Sequence, residues 1–117
     1  MANPNIVNVS TINGKTDVFA LTTTETNLVT ATANTVFKIN SIMVSNIDGT
    51  NAADVTIKYN DGSNDRAIAS TISIPADATL AVIDKNNSFY LEENEIIKGT
   101  ASANSDLECL ISYEIIS

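Results

Sequence analysis

Isoleucine, valine and threonine supply 37 of the 117 residues, and this excess of β-branched side chains constrains the fold more than any other feature of the sequence. Such side chains lose rotamer freedom in helices and pack well on pleated sheets. The chain also holds 15 asparagines, a residue type that suits turns. Polar, turn-like segments interrupt the apolar stretches about every 8–12 positions, which is typical of an all-β sandwich or barrel.

We therefore predict an all-β fold: a single antiparallel β-sandwich, either jelly-roll or immunoglobulin-like, with roughly eight to nine strands. The longest predicted strand changes the phase of its apolar pattern part-way along. Phe37 and Ile39 lie on one parity, whereas Ile42 and Val44 lie on the other. A β-bulge near residues 40–41 would place all four side chains on the core face.

The N-terminal region is set apart by a predicted turn at Asn13 and Gly14, a residue pair common in tight turns. Residues 6–12, which precede it, show only a loose alternation of apolar and polar side chains. We predict that residues 1–15 form an N-terminal arm or an edge strand. Residues 16–117 should form the β-sandwich domain.

The charged and metal-binding residue types exclude several classes of function. The chain carries 14 acidic and 6 basic residues, a formal charge of -8, no histidine and one cysteine. Without histidine there is no imidazole base, no Ser-His-Asp triad and no His-ligated metal, and one cysteine forms neither an intramolecular disulfide nor a metal-binding cluster. Nucleic-acid binding needs clustered Lys and Arg, so we expect no direct nucleic-acid partner. We also expect no signal peptide and no membrane contact, because no apolar run approaches the roughly 18 residues of a membrane span.

The residues that could carry chemistry have simpler structural interpretations. Cys109 lies on the apolar parity of a strand predicted over residues 107–115, so we interpret it as a core residue. Glu92, Glu93 and Glu95 fall in one turn, where like charges repel, and we interpret them as a solvated loop tip. We predict no catalytic, cofactor-binding or metal-binding residue, and we expect that the protein is not an enzyme.

Two further segments have weak functional interpretations. Residues 61–65 have a faint likeness to a calcium-binding loop, but Arg66 and Ile72 stand where that pattern needs Gly and Glu, so a turn is favoured. We expect the Arg66 side chain to form a surface ion pair. Tyr90 lies on the parity opposite to its apolar neighbours, so its exposed ring leaves a carbohydrate-binding adhesion module open as an alternative function.

Several predicted strands are apolar on both faces, although a two-layer sandwich needs only one apolar face per sheet. The segments that share this property are residues 18–21, 42–44, 81–83, 96–97 and 110–111. Isolated exposed apolar residues are normal, but contiguous ones suggest a subunit interface. We therefore expect a homo-oligomer, either a dimer or a trimer.

Five segments carry a resemblance to a known group of proteins. They are SIMVSNIDGTNAADVT (41–56), SIPADATLAVIDK (73–85), YLEENE (90–95), KGTASANSDLE (98–108) and SYEIIS (112–117). In these segments the chain resembles small structural proteins of tailed bacteriophages, especially phages of cyanobacteria and marine bacteria. The resemblance covers about residues 18–117 and rests on sandwich strands and turns rather than on a catalytic signature.

This resemblance implies a β-sandwich component of the virion, and within that group a capsid decoration (cement) protein that bridges copies of the major capsid protein. A tail or neck component is the near alternative. Because packaged DNA repels a protein of charge -8, the charge favours the outer surface of the capsid. The N-terminal arm could reach a neighbouring subunit and add to an exposed sheet edge.

Overall fold

The computed structural model describes residues 4–117, and these residues form nine β-strands. The strands are β1 (Ile12–Ala20), β2 (Thr26–Thr30), β3 (Val36–Asn46), β4 (Ala53–Asn60), β5 (Asp65–Ile74), β6 (Thr79–Ile83), β7 (Phe89–Leu91), β8 (Ile96–Ala101) and β9 (Leu107–Ile116). One turn of 3-10 helix, Lys85–Asn87, joins β6 to β7 and is capped by the Asp84 side chain. The β-branched residues thus lie mainly in strands, as their rotamer preferences dictate.

The strands form two sheets in which every pairing is antiparallel. The five-stranded sheet has the order β1-β9-β3-β6, and β7 pairs with β3 next to β6; the four-stranded sheet has the order β2-β8-β4-β5. The first strand pairs with the last, and the second with the last but one, which is the strand order of a jelly roll. The prediction of an antiparallel β-sandwich is confirmed, and of the two topologies left open the chain adopts the jelly roll.

One hydrophobic core fills the space between the two sheets. The side chains that are fully buried there come from both sheets: Ile39, Ile42, Val44, Cys109 and Ile111 on one side, and Val55, Ile57, Ile74 and Ile97 on the other. Each fully buried side chain of this size contributes about 1.5–3 kcal/mol relative to an exposed one. The core therefore needs no disulfide or metal to hold the sheets together.

The predicted bulge in the longest strand is confirmed. The register between β3 and β9 shifts between Ile39 and Ser41, where Ile39 lies opposite Tyr113 and Ser41 lies opposite Ser112. The extra residue, Asn40, restores the phase, so that the apolar side chains before and after it all point into the core.

The predicted turn at Asn13 and Gly14 is wrong. Both residues lie inside β1, opposite Ile115 and Glu114 of β9, and Gly14 does not adopt a positive φ. The continuous ladder with β9 outweighs the local turn preference of this residue pair. The boundary drawn after Lys15 consequently falls inside β1, which is an edge strand of the five-stranded sheet.

Candidate interaction surface

Cys109 is a core residue, as the sequence predicts. Its side chain is fully buried between the sheets. Burial raises the pKa of its thiol to about 12, so the nucleophilic thiolate is not formed near neutral pH. In residues 4–117 no three His, Cys, Asp or Glu side chains are grouped so that they could hold a metal ion.

The acidic turn around residues 92–95 is hydrogen-bonded internally and to neighbouring segments. The Glu95 carboxylate accepts hydrogen bonds from the Tyr59 hydroxyl and, at 2.8 Å, from the Glu92 backbone N–H. The Glu93 carboxylate accepts one from the Asn34 backbone N–H. These carboxylates are therefore engaged in closing the turn and in tying it to its neighbours.

The segment at residues 61–65 is the tight connection between β4 and β5. The Asp61 carboxylate accepts the backbone N–H groups of Asn64 and Ser63 at 2.7 and 2.9 Å, an arrangement typical of Asx turns. These two hydrogen bonds, and then the nearby charge of Arg66, lower the pKa of Asp61. The interpretation of this segment as a turn agrees with that geometry.

Tyr90 lies on the outer face of the five-stranded sheet and is 43% exposed. It pairs with Lys38 across β7 and β3. Its ring lines an open, mainly apolar groove of about 280 Å³, together with Pro4, Ile6, Val36 and Glu92. The segment before β1 therefore lies against the outer face of its own domain.

An unbroken row of apolar side chains crosses the outer face of the five-stranded sheet. Val18 of β1 lies opposite Leu110 of β9, Leu110 lies opposite Met43 of β3, and Met43 lies opposite Ala81 of β6. Their strand neighbours, such as Cys109 and Val44, point into the core, so these four side chains point away from it. Val18 is 64% exposed and Met43 is 38% exposed.

This apolar row spans about 14 Å, because it crosses three gaps between neighbouring strands of about 4.8 Å each. Small polar side chains border it on one side, where Thr16, Ser112 and Ser41 lie in register. On the other side the Ser45 and Thr79 hydroxyl groups are 3.0 Å apart. The row is thus an apolar band with a polar rim.

The outer face of the four-stranded sheet has the opposite character. Lys58 contacts Glu25 at 2.9 Å, and Lys98 contacts Asp65 at 3.2 Å and Glu25 at 3.9 Å. Two lysines and two carboxylates thus neutralise one another on this face. The hydrogen bond and charge of Glu25 raise the pKa of Lys58, so its ammonium stays charged.

The structure brings four of the five predicted two-faced segments together. Residues 18–21, 42–44, 81–83 and 110–111 all contribute to the five-stranded sheet, whereas residues 96–97 belong to the four-stranded sheet. Sequence reasoning did not find the row itself, because alternation shows that a strand has two apolar faces but not which strands are neighbours. The described part of the chain contains no helix with the length and apolarity that a membrane span requires.

No protein-family model and no curated protein matches the sequence. Among solved structures, a chain in the acid-stable capsid of Helicobacter pylori bacteriophage KHP30 is similar in fold. Its TM-score is 0.57 at 8% identity, over 93% of this chain and 90% of that chain. A chain of the disulfide-linked pili that form Bacillus endospore appendages is also similar, with a TM-score of 0.53 at 12% identity, over 91% of this chain and 87% of that one. At these identities the likeness shows a common fold.

Proposed function

We propose that the protein is a structural component of a bacteriophage virion: a capsid decoration, or cement, protein that binds the major capsid protein on the outer surface of the shell. The observation that carries the proposal is the apolar row Val18–Leu110–Met43–Ala81 on one face of a jelly-roll domain. A contiguous exposed apolar band on a small soluble domain marks a docking surface. Jelly rolls recur in viral capsids, although a fold alone does not determine a function.

The chemistry of the described residues supports a binding role over a catalytic one. The thiol of Cys109 is buried, and the acidic turns use their carboxylates to close loops. The formal charge of -8 favours the outside of a shell that encloses DNA. A phage capsid is also among the assemblies whose chains share this fold.

The first test is to count the copies of the protein in purified virions by quantitative mass spectrometry. A decoration protein should be present in hundreds of copies, because it covers a shell built from many capsid subunits. A dozen copies or fewer would assign it to the tail or neck, and its absence from the virion would overturn the proposal.

The second test is a substitution inside the apolar row. Met43→Glu should reduce the number of copies on the particle about tenfold or more, because a buried unpaired carboxylate costs several kcal/mol at an interface. The matched control is Thr100→Glu, which adds the same charge to the outer face of the four-stranded sheet and should leave the copy number unchanged. Thermal unfolding of both purified variants checks that the domain is intact. Equal loss in both variants would show that the row is not the docking surface.

The carbohydrate-binding alternative depends on Tyr90, whose exposed ring borders the groove on the outer face. If this function were correct, the purified protein would bind members of a glycan array and Tyr90→Ala would abolish that binding. A decoration protein should bind none of them.

A further inference from the structure

Four strand edges terminate the two sheets, and three of them are protected against pairing with another chain. The β5 edge is interrupted by two register shifts, and Thr71 within it has a positive φ of 53°. The β2 edge has five residues and one register shift. The remaining edge of the five-stranded sheet is divided between β6 and β7, of five and three residues. Bulges and short strands are two of the devices by which proteins protect sheet edges, and charged side chains are another.

The β1 edge has neither a bulge nor a short strand, and the two charged residues that it carries, Lys15 and Asp17, are of opposite sign. It contains nine residues, pairs with β9 without a register shift and includes no proline. The Thr11 backbone exchanges two hydrogen bonds with Ser117, and the Leu21 N–H donates to the Leu107 carbonyl. In an unbroken antiparallel ladder the residues alternate, so odd-numbered residues face β9. The N–H and C=O groups of the even-numbered residues therefore point outward: Ile12, Gly14, Thr16, Val18 and Ala20.

We propose that the β1 edge pairs with the β1 edge of a second copy of this chain, antiparallel, around a two-fold axis at Thr16. In this register Thr16 lies opposite Thr16 of the second copy, Gly14 opposite Val18, and Ile12 opposite Ala20. Each of these residues points its backbone N–H and C=O groups away from β9. The two-fold axis repeats the last two pairings, so there are five opposed pairs, and each exchanges two backbone hydrogen bonds, about ten in all. The two five-stranded sheets join into one continuous sheet.

The charges of β1 select this register over its neighbours. With the axis at Thr16, each Lys15 lies opposite an Asp17 of the other copy, which forms two opposite-charge pairs. Moving the axis to Lys15 would place lysine opposite lysine, and moving it to Asp17 would place aspartate opposite aspartate. Opposite charges across a strand pair stabilise it, and like charges destabilise it.

The charged side chains beside the axis are already held near one another within one chain. Lys15 and Asp17 are 3.8 Å apart at their nearest charged atoms in one chain. The Tyr113 hydroxyl donates to Asp17 Oδ2 at 2.7 Å, so Oδ1 faces the lysine. The space above Gly14 is open, with no atom within 4 Å of a Cβ built there. The Val18 side chain of the second copy fits into that space.

The first experiment measures the mass of the purified full chain in solution by light scattering on a sizing column. The wild type should have twice the mass of one chain. Thr16→Pro removes an outward N–H without breaking the ladder with β9, so it should raise the dimer dissociation constant about tenfold or more. Thr16→Val, which keeps the N–H, should remain dimeric. A monomeric or trimeric wild type, or a dimer unaffected by Thr16→Pro, would overturn the inference.

A charge-exchange experiment tests the register. Lys15→Glu and Asp17→Lys each place two like-charge pairs at the axis, so each should weaken the dimer about tenfold. In a mixture of the two variants every pair becomes opposite in sign, so a heterodimer should form with nearly the wild-type affinity. Thermal unfolding of each variant alone checks that the fold survives. Failure of the mixture to dimerise would overturn the proposed register.

Oxidative cross-linking adds a test of geometry. Opposed residues that exchange hydrogen bonds have Cα atoms about 5.5 Å apart, a distance that a disulfide spans. Thr16→Cys should therefore form a covalent dimer, whereas Ser70→Cys on the protected β5 edge should not. Buried Cys109 does not compete, since burial raises its thiol pKa. These measurements use the purified protein alone, so their result is independent of the proposed virion role.

Discussion

Asn46 connects three parts of the jelly roll through one buried amide. Its Nδ2 group donates to the Ile74 carbonyl at 2.9 Å and to the Asn51 carbonyl at 3.0 Å, and its Oδ1 accepts the Asp48 N–H at 2.9 Å. It thereby joins the end of β3, the β3–β4 loop and the end of β5. Among the described residues it is the only buried side chain of a polar or charged type. The sequence does not reveal it, because the chain holds 15 asparagines and nothing in the apolar pattern distinguishes this one from the others.

We predict that Asn46→Leu lowers the free energy of unfolding by about 2–4 kcal/mol, because three hydrogen bonds are lost and buried carbonyl groups are left without a donor. Asn46→Asp keeps the acceptor but loses the donor, and should be destabilising for the second reason. Asn13→Ala, at an exposed position of β1, should change the value by less than about 0.5 kcal/mol. Urea denaturation measures all three. A loss below about 1 kcal/mol in Asn46→Leu would contradict this role.

At the scale of single strands, much of the architecture follows from side-chain periodicity. The phase change in the longest strand predicts its bulge, since only an extra residue returns Ile42 and Val44 to the core face. Periodicity fails where tertiary pairing outweighs local preference. Asn13 and Gly14 form a strand because β9 pairs with them. Strand order could not be predicted, because alternation shows which side of a strand is buried but not its partners.

The β5 strand shows the same limit. Ile68, Ile72 and Ile74 have the same parity in the sequence, so a regular strand would place all three on one face. Two register shifts in its pairing with β4 instead give them different environments: Ile74 is buried and Ile72 is 38% exposed. The Thr71 N–H donates to Thr56 Oγ1 at 3.1 Å, a side-chain contact that replaces a ladder bond. Such a contact leaves no signal in the apolar pattern.

Thr71 provides a test of backbone strain in this edge. Its φ of 53° lies in the left-handed region, which costs a β-branched residue about 1–2 kcal/mol. Asparagine tolerates that conformation, and the Thr71 side chain is exposed. Thr71→Asn should therefore raise the free energy of unfolding by about 0.5–1 kcal/mol. Thr30→Asn, at an exposed strand position with negative φ, is the matched control and should be neutral or destabilising. Thermal unfolding compares the two, and no gain in Thr71→Asn would contradict the strain.

At the scale of the whole molecule, the jelly roll separates its surfaces by chemistry. The outer face of the four-stranded sheet carries mutually neutralising charges, and the outer face of the five-stranded sheet carries the apolar row. Pairing of β1 around a two-fold axis perpendicular to the sheet would place two apolar rows on the same side of a joined sheet. One dimer would then present two equivalent docking bands, and a partner with repeated sites would bind it with avidity.

The same whole-molecule view predicts how stability depends on pH. The chain has no histidine, so no imidazole changes its charge in the mid-range of pH. Burial raises the pKa of the Cys109 thiol to about 12, so the stability that this shift provides is lost as the pH rises above the unfolded thiol value of about 8.5. Burial, together with hydrogen bonds to Glu95 and Asp17, raises the pKa values of the Tyr59 and Tyr113 hydroxyls. A raised tyrosine pKa means that the folded state holds its proton more tightly than the unfolded state does. The resulting stability is complete below the unfolded value of about 10 and is lost as the pH rises beyond it.

We therefore predict that the free energy of unfolding is nearly constant from pH 6 to 8, begins to fall above about pH 8.5 as the unfolded thiol ionises, and falls steeply above pH 10, as urea denaturation at each pH would measure. The raised pKa of Lys58 has the same sign and adds to the fall. The double variant Tyr59→Phe and Tyr113→Phe isolates the tyrosine part: it should be less stable at neutral pH, because two hydrogen bonds are lost, but should show a shallower fall between pH 10 and 11.5. An unchanged slope in the double variant would mean that the two phenol–carboxylate contacts do not set the alkaline limit of this fold.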